Sequence, residues 1–169
     1  RLGRLDEYHE QTARMLKSVG ARAVVADARV KRLLGAAVLE ARPPLGCLTP
    51  HELSAEGWQP GIVEETDLAL VQFSSGTTRD PKPVALTHDA VVGHATTLND
   101  FWPDTDELRH SGASWLPLYH DMGLIGCVFT ALERPAVLNL IPPEVFVGRP
   151  AVWLRTISRY GATISPAPN

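Results

Sequence analysis

A chain of 169 residues with 44% hydrophobic and 21% charged residues is long enough to bury one sizeable core. Its formal net charge of −3, with acids and bases interspersed, offers no basic surface for a nucleic-acid backbone. The two cysteines, Cys47 and Cys127, form no disulfide framework or thiolate metal cluster and favour a reducing cytoplasm. The most apolar stretch, Met122 to Leu132, is much shorter than the roughly 20 residues that cross a bilayer, so no transmembrane segment is predicted.

The first third of the chain alternates helix and strand patterns. Residues spaced by three and four predict a first helix that ends at Gly20, with the stripe Leu5, Tyr8, Thr12, Met15 and Val19. A short apolar strand from Ala23 to Ala26 stops at Asp27, and a second short helix follows. Residues 41–65 are rich in proline and glycine and predict a peripheral loop region, with at most a short strand near Cys47 and a short helix near His51.

The remaining elements continue the same alternation. A strand is predicted from Leu68 to Phe73, a return strand from Val84 to Leu86, and a helix after Thr87 with the stripe Val91, Ala95, Leu98 and Trp102. Further predictions are a strand or turn over Ser114 to Leu118, a buried helix over Met122 to Leu132, a strand over Ala136 to Ile141, a helix opening at Arg149-Pro150 and a strand over Ala162 to Ser165. This order predicts an α/β fold with a mostly parallel sheet flanked by helices.

A loop rich in small hydroxyl residues follows the strand that ends at Phe73. It contains Ser74, Ser75, Gly76, Thr77 and Thr78 and ends near Lys82. Backbone N–H groups and hydroxyls can donate to phosphate oxygens, and a lysine can neutralise their charge. This composition predicts a phosphate-binding loop, although an ordinary serine- and threonine-rich surface turn has the same composition.

A Walker-type phosphate loop is excluded by two prolines. Gly76 and Lys82 have the spacing of its first glycine and its lysine. However, Pro81 stands at the second glycine and has no N–H, and Pro83 stands where the magnesium-binding serine or threonine is required. Another kind of nucleotide loop is therefore needed.

Two further constellations have simpler interpretations than the sites they suggest. His88, His94, His110 and His120 lack the spacing and the accompanying ligands of a zinc site. Ser75, His120 and Asp121 contain the residue types of a hydrolase triad, but no G-x-S-x-G motif is present and adjacent residues cannot easily orient one another as a triad requires.

The segment VQFSSGTTRDPKPVALTH, within Leu70 to His88, resembles the phosphate-loop signature of AMP-forming acyl ligases and synthetases. The resemblance implies that Ser74, Ser75, Gly76, Thr77, Thr78 and Lys82 bind the phosphates of ATP. Members of the family usually carry a Lys-Gly pair where this chain has Lys82-Pro83.

A second segment, SWLPLYHDMGLIG from Ser114 to Gly126, resembles the one characteristic of fatty acyl-AMP ligases and their long-chain acyl relatives. The resemblance implies that His120 lies between an acyl tunnel and the ATP site, as a catalytic and substrate-binding residue. It also places Asp121, Met122, Gly123 and Leu124 at the acyl substrate. Independently of any family, His120 and Asp121 could simply cap the following helix.

A third segment, WLRTISRYGATISPAPN from Trp153 to Asn169, resembles the helix and strand that lead to the family's adenine-binding turn. The resemblance implies that Ala167, Pro168 and Asn169 contact adenine, with Pro166 where glycine is common. The opening RLGRLDEYHEQTARML resembles the helix before these elements in fatty acyl-AMP ligases. Residues 1–169 are thus expected to be a partial subdomain of the large N-terminal AMP-binding domain, without the C-terminal lid domain.

The resemblance implies an enzyme that uses ATP and Mg²⁺ to convert a fatty acid into acyl-AMP and pyrophosphate. The acyl group would then pass to an acyl carrier protein or to a carrier domain of a polyketide or peptide synthase, whereas close relatives use coenzyme A. The family's magnesium-binding glutamate, ribose-binding aspartate and lid lysine are expected outside this chain. We therefore expect the chain alone to be inactive. The alternatives are an acyl-CoA synthetase fragment and a degenerate nucleotide- or acyl-binding module without catalysis.

Overall fold

The computed structural model describes residues 2–74 and 81–167, with side chains from residue 4 onward. The helices and strands in chain order are α1 (Leu2–Ser18), β1 (Val24–Val25), α2 (Ala28–Leu33), α3 (Gly35–Ala41), β2 (Cys47–Leu48), a 3₁₀ helix (Pro50–Glu52), β3 (Leu68–Phe73), β4 (Pro83–Thr87), α4 (His88–Asp100), β5 (Gly112–Ser114), α5 (Asp121–Gly123), a π-helical segment (Leu124–Phe129), α6 (Thr130–Glu133), β6 (Leu138–Leu140), α7 (Pro143–Gly148) and α8 (Ala151–Tyr160). Among these described residues, no helix is long and apolar enough to span a membrane. The α/β class predicted from the sequence is confirmed.

The chain divides into two compact units, the first made of residues 1–63 and 71–85. Helices α1 and α3 pack on each other in this unit, and its buried apolar residues are Ala13, Leu34 and Ala37. Strand β1 pairs in parallel with β2. Asp27 begins α2 because its carboxylate accepts the backbone N–H groups of Arg29 and Val30.

The second unit comprises residues 64–70 and 86–169 and contains the longer parallel arrangement. Strand β5 pairs with β6 in the register Gly112 with Leu138, and on its other side Gly112 bridges to Ile164, also in parallel. The buried apolar residues of this unit are Ala95, Ala113, Leu116, Cys127 and Ile141. Strands β3 and β4 pair with each other, and each contributes residues to both units.

The structure differs from the sequence prediction at several elements of the second unit. The strand predicted over Ala162 to Ser165 is a single bridge at Ile164, and where a strand or turn is predicted over Ser114 to Leu118, the strand lies earlier, at Gly112–Ser114. Helix α4 ends at Asp100, so Trp102 lies beyond it instead of on its buried stripe. Helix α7 begins at Pro143, where the two prolines predicted only the end of a strand. Pro143 occupies a first-turn position, which tolerates the missing N–H. The helix over Met122 to Leu132 is interrupted by a π-helical stretch.

Candidate functional site

Ser74 and Lys82 lie together at the two ends of the predicted phosphate loop. The Ser74 N–H donates to the Lys82 carbonyl at 2.9 Å, and the Lys82 N–H donates to Ser74 Oγ at 3.4 Å. Lys82 is exposed, and its ammonium makes no hydrogen bond or ion pair with the described part of the chain. The other predicted loop residues, Ser75, Gly76, Thr77 and Thr78, lie outside the described residues. The structure thus places at the base of this loop a cation that has no partner in residues 2–74 and 81–167.

His120 lies at the turn that opens α5, with about half of its side chain exposed, at 52%. Its Nδ1 is 2.5 Å from Asp121 Oδ1, and the same carboxylate oxygen accepts the Met122 N–H at 2.7 Å. Nδ1 of His120 also lies 3.3 Å from the backbone nitrogen of Met122. If Nδ1 carries a proton and donates to Asp121, it cannot also accept a hydrogen bond from the Met122 N–H.

The shorter contact assigns the proton to Nδ1. Asp121 then caps the helix. Asp121 also orients the ring of His120, although adjacent residues were not expected to orient one another, and this leaves Nε2 without a hydrogen bond among the described residues.

Gly123 fixes where this turn lies. A Cβ built at position 123 would stand 2.3 Å from the Pro117 carbonyl oxygen and 3.1 Å from that of Leu116. The turn is closed by the His120 N–H, which donates to the Pro117 carbonyl at 3.1 Å. Only glycine allows the turn and the helix start to approach this closely, so Gly123 determines the position of His120.

A mainly apolar cavity lies in the second unit, and the space inside and in front of it, which is open to solvent, amounts to about 560 Å³. Its apolar wall includes Gly126, Cys127, Ala131, Val137, Leu138 and Ile164, and its rim includes Asn99, Asp104, His110 and Arg134. Three of the wall residues belong to the helical run that begins at α5. An apolar wall with a polar rim suits a ligand with a hydrocarbon portion.

Cys127 belongs to the wall of this cavity and is not a nucleophile. Its Sγ lies 3.4 Å from Ser114 Oγ and 3.3 Å from the Met122 carbonyl oxygen. Burial raises the pKa of the Cys127 thiol, which keeps it protonated and unreactive.

The remaining predicted site residues fall in different surroundings. Of the residues predicted on the acyl path, Met122 is exposed, Gly123 is buried and Leu124 is half-buried. Ala167 is exposed, whereas Pro168 and Asn169 lie outside the described residues. Within residues 2–74 and 81–167, no group of three or more His, Cys, Asp or Glu side chains is placed to hold a metal ion.

The family model described as AMP-binding enzyme matches residues 7–169. This chain belongs to the AMP-binding enzyme family. Residues 71–88 and 114–126, which carry the phosphate-loop and His120 segments, both lie inside the matched range.

Relatives in the AMP-binding enzyme family include proteins with acyl substrates in their names. The chain is 35% identical over 172 residues to a Caulobacter vibrioides protein provisionally named acyl-CoA synthetase, covering 99% of this chain and 29% of that protein. It is 36% identical over 120 residues to the medium-chain-fatty-acid–[acyl-carrier-protein] ligase JamA of Moorena producens, covering 71% of this chain and 20% of JamA. A solved structure from studies of fatty acyl-adenylate ligases of E. coli and L. pneumophila superposes with a TM-score of 0.85 at 29% identity, covering 99% of this chain and 30% of that one.

The chain therefore spans less than a third of the length of these AMP-binding relatives. His120 and the loop ends were predicted from their motifs and stay predictions, whereas the wall of the cavity was not predicted. Gly126, Cys127, Val137 and Ile164 come from three separate segments of the chain, and no local spacing connects them. The available signal was the pair Gly123 and Gly126, of which Gly123 serves a turn and Gly126 borders the cavity.

Proposed function

We propose that this chain is part of an ATP-dependent ligase that activates a fatty acid as acyl-AMP with release of pyrophosphate. The observation that carries the proposal is the apolar cavity, to which the helical run opened by His120 contributes from Gly126 onward. We assign the carboxylate of the fatty acid to His120 and the far part of its hydrocarbon chain to this cavity. The fatty acyl-adenylate ligase structure with a TM-score of 0.85 supports the same substrate class.

The phosphates of ATP are assigned to the loop whose base is formed by Ser74 and Lys82. The hydroxyls of Ser75, Thr77 and Thr78 and the backbone at Gly76 would donate to the β- and γ-phosphates, and Lys82 would neutralise their charge. Ala167, Pro168 and Asn169 are assigned to adenine. Holding both substrates in reacting geometry is the main source of acceleration in such a step.

The reaction joins a carboxylate oxygen to the α-phosphorus of ATP and breaks the bond from that phosphorus to the oxygen bridging to the β-phosphate. Pyrophosphate leaves with the bridging oxygen. Nε2 of His120, when protonated, can donate to the carboxylate or to an α-phosphate oxygen, while Asp121 holds Nδ1–H. Met122 and Leu124 are assigned to the entrance of the acyl path and the cavity wall to its continuation.

Mg²⁺ would neutralise phosphate charge in such a ligase, but the described residues offer no set of ligands for it. Its ligands are assigned to parts of the parent enzyme that this chain does not span. The family's ribose-binding aspartate and lid lysine are assigned there as well, so the chain by itself is expected to make no acyl-AMP.

An acyl carrier protein, or a carrier domain of a polyketide or peptide synthase, is the proposed acceptor of the acyl group. The carrier-protein ligase JamA, at 36% identity, supports this choice. Coenzyme A is the alternative acceptor, which the name of the Caulobacter relative supports. The cysteine content favours a cytoplasmic enzyme.

The test is calorimetric titration of the purified chain with dodecanoyl sulfamoyladenosine, a non-hydrolysable acyl-AMP analogue. Saturable binding is expected, and His120→Ala should weaken it about tenfold because a charge-assisted hydrogen bond is lost. His94→Ala, at an exposed histidine of α4, is the matched control and should bind as the unaltered chain does. Gly126→Leu should weaken binding of the analogue by filling the cavity while leaving AMP binding intact. Absence of binding, or equal losses from both histidine variants, would contradict the proposal.

A further inference from the structure

The parallel ladder between β5 and the segment at Ile164 lacks its next backbone donor. The Ile164 N–H donates to the Ser111 carbonyl at 3.1 Å, and the Ala113 N–H donates to the Ile164 carbonyl at 3.0 Å. In a regular parallel ladder, the next hydrogen bond would run from the N–H of residue 166 to the Ala113 carbonyl. Pro166 has no N–H.

The side chain of Ser165 takes the place of that donor. Its Oγ donates to the Ala113 carbonyl at 2.7 Å, and it accepts the indole N–H of Trp153 at 2.7 Å. Because an indole N–H can only donate, the Ser165 proton is left to point at Ala113. The Trp153 ring is held edge-on against Trp115 and Phe146, with centroids 6.3 and 6.0 Å away.

We propose that Ser165, locked by Trp153, is a positioning residue that supplies the strand bond Pro166 cannot make and so fixes the chain where it departs toward Ala167. The functional half of this inference rests on the proposed function, which assigns the segment from Ala167 to adenine. Ala113 is fully buried, so its carbonyl cannot be satisfied by bulk water when Ser165 is removed. The segment after Ile164 then loses the hydrogen bond from Ser165 to Ala113, which among the described residues is its bond to β5 nearest to Ala167.

The structural half is tested on the ligand-free chain by amide hydrogen exchange. Ser165→Ala should lower the protection of the Ala113 amide about tenfold. Pro166→Ala supplies a backbone N–H, so adding Ser165→Ala to that variant should lower protection less than threefold. Unchanged protection in Ser165→Ala, or an equal loss in both backgrounds, overturns the inference.

The functional half is tested by titrating the same variants with dodecanoyl sulfamoyladenosine and, separately, with AMP. Ser165→Ala and Trp153→Phe should each weaken binding of both ligands by about tenfold, because both ligands carry the adenosine whose contact moves. The double variant should bind the analogue no more weakly than either single variant. Both substitutions break the same series of hydrogen bonds, from Trp153 through Ser165 to Ala113. Trp115→Phe is the matched control, because the buried Trp115 N–H has no hydrogen-bond partner among the described residues.

The outcomes separate the two proposals. If the unaltered chain binds no analogue but exchange follows the expected pattern, the proposed function fails for this chain and the ladder role of Ser165 stands. If the analogue binds and Ser165→Ala lowers protection without lowering affinity, the positioning role is overturned. If Trp115→Phe weakens binding as much as Trp153→Phe, ring packing rather than the hydrogen bond is responsible, and the role of Trp153 is overturned.

Discussion

The backbone around position 123 leaves no room for a side chain, so the start of α5 requires glycine there. An added Cβ would come within 2.3 Å of a backbone oxygen and 2.9 Å of the Pro117 carbonyl carbon, neither of which can rotate away. Gly123→Ala should therefore lower the free energy of unfolding by about 1–3 kcal/mol, the usual range for forcing extra volume into packed structure. Urea denaturation followed by tryptophan fluorescence measures this, since Trp102, Trp115 and Trp153 all lie in the second unit.

The control for this substitution is Gly93→Ala within α4. A Cβ there has no neighbour within 4 Å. The same change should therefore stabilise the chain by up to about 1 kcal/mol, because alanine loses less conformational entropy in a helix than glycine. Equal effects at both positions would contradict the close approach at Pro117.

At the scale of elements, the 3₁₀ helix is tied to α2 through one carboxylate. Glu52 Oε2 accepts from Lys31 Nζ at 2.8 Å, from the Thr49 N–H at 2.6 Å and from the Thr49 hydroxyl at 2.9 Å. The Lys31 hydrogen bond first, and then those from Thr49, lower the pKa of Glu52 from 4.5 to about 2. The contacts stabilise only the ionised carboxylate.

Because this pKa is depressed in the folded chain, its contribution to stability is present above pH 4.5 and is lost as pH falls toward 2. Glu52→Gln should lower the thermal midpoint at pH 6, and the difference from the unaltered chain should vanish near pH 2. The effect should be small and weaker in high salt, since both side chains of the pair reach solvent. Glu56→Gln is the control, because that exposed side chain makes no contact of this kind among the described residues. A difference that persists unchanged to pH 2 would contradict the linkage.

Sequence patterns predicted the elements whose signals are local. The apolar run from Ala23 to Ala26, in which Val24–Val25 is the strand, and the run Leu68–Phe73 each depend on neighbouring residues and are confirmed. The π-helical stretch could not be predicted in this way. There, Cys127 Sγ and Thr130 Oγ1 donate to carbonyls five residues earlier, and hydrophobic periodicity does not distinguish this from an α-helix.

The candidate site divides in the same manner. His120 and Lys82 stand in contiguous motifs and were predicted, whereas the substitution of Ser165 for a strand donor depends on a register with β5 that lies 52 residues away in sequence. A pattern search does not detect such a partner, because neither Ser165 nor Trp153 is unusual in its own segment.

At the scale of the whole molecule, many large apolar side chains of the second unit are exposed. Val137 is 65% exposed next to β6, Leu140 is 49% exposed on that strand, and Leu154 is 61% exposed on α8. Apolar surface of this extent favours association in water. The chain should therefore bind apolar dyes and self-associate as its concentration rises.

A substitution at Leu154 tests the exposed apolar surface separately from the packed core. Leu154→Gln should reduce self-association, measured by sedimentation velocity, while changing the free energy of unfolding by no more than about 0.5 kcal/mol, because the side chain is already in water and glutamine is a good helix former. Ile157→Gln, three residues further along α8 on the half-buried side that carries Trp153, is the matched substitution. It should cost about 2–4 kcal/mol, since a polar group then enters the packed face. If Leu154→Gln destabilised the chain as much as Ile157→Gln, Leu154 would belong to the packed interior, and the exposed apolar surface would not account for association.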